Sequence, residues 1–277
     1  KMVEQNPNIP DTEQGREKWL EDTKNRDSVK RIGSGSIYYK GALQDVKTTE
    51  MIVTMRHENV GRGLAHFGGL SEPEDQVPGD DLATGINSAA REGTEEMEEL
   101  LNKAPNLDKA KYKFLYTSSD DNFLIKNGYG FAIDSRLHAY PVEDDLWEDV
   151  FPNGATRKDR HPDYVGEEET AYAEVTTIFN AMARQNEYFY MHEYFALFVM
   201  AAKMMNEDVM TLVDEVNAEI KKQPKDGFVA KPNQGIKTDR IDFNWIAKKM
   251  HTDLETLENH LGPKYKGKIK AYEAKFK

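Results

Sequence analysis

Apolar and polar positions alternate with a period of two in two early stretches, Ser36-Ile37-Tyr38-Tyr39-Lys40 and Met51-Ile52-Val53-Thr54-Met55, both rich in β-branched or aromatic residues. This alternation predicts two strands joined by a turn that contains Gly41. Farther on the period changes: Ile86, Ala89, Ala90, Gly93, Met97, Leu100 and Leu101 recur at helical spacing, opposite a face of glutamates. Strands also fit 112–117 and 128–140, with the turn-like Ser118-Ser119-Asp120-Asp121-Asn122 between them. Residues 173–179 read as a strand passing into a helix, and the apolar run from Tyr188 to Met205 as a core helix. Polar residues 1–32 hold a short helix at 12–23 anchored by Trp19 and Leu20, and 141–166, with Pro141, Pro152 and Pro162, reads as an irregular insertion. After Asn206 the pattern is helical, at about 207–222, 242–250 and 253–262, with a linker from Pro224 to Gly235.

The pattern divides the 277 residues into a polar N-terminal extension (1–32), an α/β domain (33–205) and a helical C-terminal appendage (206–277). Charge follows the second boundary. The net charge is −12, yet residues 206–277 carry 14 basic against 12 acidic side chains and the rest of the chain 23 against 37. An acidic surface of this kind argues against a general polyanion binder. No cysteine is present, which excludes a disulfide framework, a zinc ribbon and a thiol nucleophile, and leaves His, Asp and Glu to hold any metal. A mean hydropathy of −0.76, with no apolar run near ~18 residues, predicts a soluble chain with no membrane span, expected in the cytoplasm.

Chemistry concentrates in Ala89-Ala90-Arg91-Glu92-Gly93-Thr94-Glu95-Glu96. On a helix Glu92, Glu95 and Glu96 stand at i, i+3 and i+4, so three carboxylates project from one side. Crowded together they repel and raise each other's pKa. A divalent cation relieves this, and hard oxygen donors suit Mg²⁺ or Mn²⁺. Most Glu-rich helical faces are only solvated. This one follows strands and the Gly68-Gly69 turn, and Arg91 is placed to orient a carboxylate.

The segment Arg91-Glu92-x-x-Glu95-Glu96, with Ala89-Ala90 before it and Gly68-Gly69 upstream, resembles the box of the Nudix hydrolase family. The resemblance covers about residues 33–205. It implies an α/β/α sandwich around a mixed sheet, and Mg²⁺-dependent hydrolysis of the pyrophosphate bond in a nucleoside diphosphate linked to a group X, such as ADP-ribose, a dinucleotide or a dinucleoside polyphosphate. Carried over residue by residue, it makes Glu92, Glu95 and Glu96 metal ligands, Arg91 the orienting arginine, Glu92 a candidate base, and Gly68 a ligand through its backbone carbonyl. A later-loop glutamate adds a ligand or base in many members; Glu168, within Glu167-Glu168-Glu169, is the choice here. Three positions depart from the box. Ala83 stands where the first box glutamate belongs, so the loop holds an insertion, and Glu72, Glu74, Asp75 or Asp80 takes that role. Gly93 replaces a hydrophobic residue, and Glu98 the closing glycine.

Arg56 and Arg62 are candidate phosphate contacts, and Tyr39, Phe67, Tyr129, Phe131 and Tyr140 candidate stacking partners for a nucleobase. His57, His66, His138 and His161 lack metal-ligand spacing, and the methionines from Met200 to Met210 read as packing. In the tail, Thr252 reads as an N-cap with Glu255 at the capping-box position, and 242–262 loosely resembles a helix-turn-helix. That leaves a nucleotide-sensing transcription regulator and an RNA cap pyrophosphohydrolase as alternatives. Glu255 and Glu258 stand where a DNA-reading helix favours basic or amide side chains, so the tail reads as a packing or oligomerisation appendage, with a homodimer as one form.

Overall fold

The computed structural model describes residues 8–101, 104–120, 132–150 and 170–277. Two short helices open the described chain, α1 (Glu13–Leu20), capped by the Thr12 hydroxyl, and α2 (Thr23–Val29), capped by Asp22. Trp19 and Leu20 pack on a small cluster of Ile9 and Val29. Strands β1 (Lys30–Lys40), β2 (Glu50–Arg56) and β3 (Leu64–Ala65) follow, then the long helix α3 (Asp81–Leu101). Next come β4 (Lys113–Asp120), β5 (Ala132–Val142), α4 (Asp144–Val150), β6 (Thr170–Thr177) and α5 (Ile178–Met182). The chain continues through α6 (Met191–Met204), α7 (Val209–Ile220), α8 (Phe243–Lys249), α9 (Leu254–Leu261) and α10 (Lys268–Ala274).

The six strands form one mixed sheet, as expected for an α/β chain. β1 runs parallel to β5 along its whole length, and β5 pairs antiparallel with β4. β2 has β6 along one edge; along the other it meets β1 at Met51 and β3 at Thr54 and Met55. β1 and β2 therefore diverge, and residues 64–71 fill the fork between them. Ala65 pairs with β2, whereas the Phe67 and Gly69 carbonyls accept from Ser36 and Ser34 of β1, at 2.9 and 2.8 Å.

Alternation along the strands sorts side chains into two layers. Tyr38 and Ile52 face α3, in a cluster with Ala89, Met97, Tyr112 and Trp147. Ile37, Tyr39, Met51 and Val53 face α6 in the larger cluster, which also takes Val213, Phe243, Leu257 and Tyr272 from the C-terminal helices. Residues after Asn206 thus share the core of the sheet.

Local differences from the sequence expectation have physical causes. β1 begins six residues earlier than its apolar pattern, because Gly33-Ser34-Gly35-Ser36 are weak strand formers recruited by the β5 pairing. Within 141–166, residues 144–150 form a helix seated by buried Trp147; 151–166 lie outside the described residues. The cap of α9 is Asp253, which accepts from the Thr256 amide, and not Thr252. The lysine-rich end is ordered as α10, because buried Glu258 accepts from the Gly267 and Lys270 amides at its start.

Candidate active site

Residues 67–71 run against β1 with no room for side chains at the two glycines. A Cβ on Gly68 would lie 2.0 Å from the Ser34 carbonyl oxygen, and one on Gly69 2.3 Å from Glu92 Oε1. α3 sits as close to the sheet: a Cβ on Gly93 would lie 2.0 Å from the Tyr38 hydroxyl. Glycine at the position where the box has a hydrophobic residue thus lets the helix approach β1, bringing Glu92 against the loop.

Arg91 ties loop to helix. Its Nε donates to Asp75 Oδ2 at 3.1 Å, one terminal nitrogen to Glu95 Oε2 at 3.0 Å, and the other to the Leu70 carbonyl at 3.0 Å and Glu92 Oε1 at 2.9 Å. Among the four carboxylates open for the missing box position, the arginine holds Asp75. Asp75 is buried and also accepts from the Glu72 amide. Planar, multi-donor recognition of this kind is what guanidinium supplies and ammonium does not.

The Glu92 carboxyl is raised above its ordinary range, first by burial and then by neighbouring Glu95 and Asp75, with Arg91 opposing. Glu96 Oε2 accepts from the Gly68 amide at 2.9 Å, so Gly68 engages this helix through its N–H, a contact the box comparison does not supply. Glu92, Glu95, Glu96 and Glu99 all line one wall of a single cleft. As hard oxygen donors on one wall they fit a divalent cation in type. Arg91 and the Gly68 amide already engage oxygens of Glu92, Glu95 and Glu96, and among the described residues no group of three His, Asp or Glu side chains is arranged to hold a metal ion.

The cleft holds about 790 Å³ and opens where the sheet forks, a size suited to a nucleotide-sized ligand. Arg56 lines it, its guanidinium 4.6 Å from the Phe189 ring centre and 5.2 Å from that of Tyr190, with a hydrogen bond to the Val60 carbonyl at 3.0 Å. Arg62 is not among the lining residues; it lies over Phe228 and pairs with Glu58 at 3.8 Å. Tyr39, Phe67 and Tyr140 are buried core rings, whereas Phe189 and Tyr190 line the cleft. Tyr129, Phe131 and Glu168 lie outside the described residues.

Glu193, in the first turn of α6, escaped the sequence reading as a site residue. It lines the cleft, is 6% exposed, and accepts from the His66 amide through Oε2 at 3.0 Å. Burial pushes its carboxyl up to about 7, with Arg56 and the amide opposing. Burial pushes the His66 imidazole down to about 4, so the ring is neutral near pH 7. The signal was a lone carboxylate inside a run of apolar residues, Tyr194 to Ala202 following it.

No family model matches the chain, and no curated protein matches it by sequence. Among solved structures it is similar to a NUDIX hydrolase from Alicyclobacillus acidocaldarius, at 13% identity and a TM-score of 0.36 over 56% of this chain and 82% of that one. An Ap4A hydrolase from C. elegans gives 14% identity and a TM-score of 0.32 over 63% and 96%. A C. elegans Ap4A hydrolase binary complex gives 13% and 0.33 over 65% and 99%. These scores are too low to carry an argument about function, which rests on the site's own residues.

Proposed function

We propose that the chain hydrolyses the pyrophosphate bond of a nucleoside diphosphate linked to a second group, as a Nudix-type pyrophosphohydrolase with Mg²⁺ or Mn²⁺. The observation that carries this reading is the Arg91 hub, which draws Asp75, Glu92 and Glu95 together beside the Gly68-Gly69 loop on the wall of the cleft.

Glu92, Glu95 and Glu96 would supply oxygen donors for the cation once their side chains turned toward one another, and the cation would then offer charge neutralisation at the phosphate oxygens and a more acidic bound water. The chain's own residues position and balance charge. Arg91 orients Glu92 and Glu95, the Gly68 amide orients Glu96, and Arg56, seated against the Phe189 and Tyr190 rings, offers positive charge to a phosphate. A bound pyrophosphate would lie between the acidic wall and Arg56. The tail fits a packing role: Glu258 is buried and Glu255 pairs with Lys270 at 2.9 Å, so neither carboxylate of α9 is available to read DNA.

The test is a Mg²⁺-dependent hydrolysis screen over ADP-ribose, dinucleotides, dinucleoside polyphosphates and capped RNA, with products read by mass. Mononucleotide products are expected. Glu96→Gln is expected to lower kcat by about a hundredfold or more with the circular-dichroism spectrum unchanged. Unchanged hydrolysis in that variant would overturn the metal-ligand assignment.

A further inference from the structure

The cleft contains a second buried carboxylate that the box does not account for. Residues 67–70 are extended against β1, with Phe67 opposite Ser36 and Leu70 opposite Gly33. Along an extended chain alternate amides point to the same side. The Phe67 and Gly69 carbonyls face β1, so the amides of His66 and Gly68 face away from it. These two amides bind the two carboxylates: His66 N donates to Glu193 at 3.0 Å and Gly68 N to Glu96 at 2.9 Å. Two residues of extended chain span about 7 Å. Glu193, from α6, and Glu96, from α3, therefore approach one segment from opposite layers of the fold, and both line the cleft.

We propose that Glu193 is a catalytic residue, the acceptor of the proton from the attacking water. The inference rests on the hydrolase reading above and places the base at Glu193 instead of at Glu92 or Glu168. Glu92 is already engaged, its Oε1 held by the Arg91 guanidinium at 2.9 Å. In the step, a water O–H bond breaks and its proton passes to the Glu193 carboxylate. The water oxygen forms a bond to phosphorus, and the bridging P–O bond breaks with its electron pair leaving on the departing phosphate. Glu193 then returns the proton to solvent.

The groups around Glu193 suit that task. Arg56 of β2 favours its ionised form, while Tyr116 of β4 and Tyr188 before α6 stay protonated, raised by burial and by Glu193 itself. Buried His66, and half-buried His192 beside Glu193 on α6, are neutral imidazoles, both pushed down to about 4 by desolvation. A carboxyl near 7 in these surroundings is half ionised at neutral pH, where a base works best.

The experiment compares wild type, Glu193→Gln and Glu193→Asp on the substrate turned over fastest in the screen, with Mg²⁺ fixed and kcat measured from pH 5 to 9. Wild type is expected to show a rising limb with a midpoint near 7. Glu193→Gln is expected to lose about a hundredfold or more in kcat with KM within about threefold, and to lose that limb. Glu193→Asp, which keeps a carboxylate if Gln disturbs the fold, is expected to retain the limb at reduced rate. A Gln variant within threefold of wild type, with the limb intact, overturns the role of Glu193 and leaves the hydrolase reading standing. A wild-type chain that hydrolyses none of the substrates overturns both.

Discussion

The two faces of the sheet are packed by different means. On the α3 side, hydroxyls and glycines set the fit: Ser34 meets Ser88 at 3.2 Å, the Tyr38 and Tyr112 hydroxyls meet at 2.6 Å, and Gly93 presses against Tyr38. On the α6 side, residues 194–201 are all buried and apolar or aromatic, with Phe198 contacting Tyr194, Phe195 and Phe243. Directional bonds fix how a helix is rotated, whereas apolar bulk fixes only that it is covered. The helix that carries Glu92, Glu95 and Glu96 is the one held by directional contacts. Most of the apolar burial lies on the other side.

If that division holds, Phe198→Ala should be the most damaging change to stability. It opens a cavity at the centre of the larger cluster and should cost about 3–5 kcal/mol in urea unfolding. A loss below about 1 kcal/mol would mean the C-terminal helices collapse into the gap and the two faces do not differ as described.

The buried carboxylate on α6 gives a pH-dependent test of the same face. Glu193 has a folded pKa near 7 against an ordinary 4.5, so the fold prefers its protonated form. The penalty is absent below about pH 4.5, grows as pH rises, and is fully present above 7, reaching about 3 kcal/mol. Glu193→Gln should therefore stabilise the protein at pH 8 and do little at pH 4.5, by denaturant unfolding at each pH. Equal effects at the two values would show that the carboxyl titrates normally.

The smallest effect belongs to the α3 face. Gly93→Ala gains about 1 kcal/mol of helix propensity but forces a methyl onto the Tyr38 hydroxyl, for a net loss of about 1–2 kcal/mol. In a Tyr38→Phe background the closest atom is gone, leaving the ring carbon at 3.0 Å and Leu107 at 3.1 Å, so the loss should shrink, as a double-mutant cycle would measure. The same loss in both backgrounds would remove the reason given for glycine at 93.

β2, α3 and α6 were legible because their apolar periods are unbroken. β1 was legible only from Ser36, since residues 33–36 are glycine and serine and depend on a partner about a hundred residues away. Glu92, Glu95 and Glu96 could be placed on one face from spacing alone. The choice of Asp75 for Arg91 could not, because the turn at 72–76 brings it back to the helix. Glu193 was hidden for the converse reason: it belongs to a helix that reads as core, and only its contact with residue 66 brings it to the cleft. Arg56 was picked out among surface-like arginines, and its aromatic seat appeared only when α6 and its preceding loop came alongside β2.

The bond between Asp75 and Arg91 also bears on how such sites can be found. With both ends of residues 76–90 pinned, the intervening stretch can change length while the ends keep their places. About seven added residues, two turns of helix, would return Arg91 to the same face. A fixed-interval pattern passes over such chains. One that keeps the glycine pair, a carboxylate six residues after the second glycine, and Arg-Glu-x-x-Glu-Glu at a variable distance would retrieve relatives whose spacers have drifted.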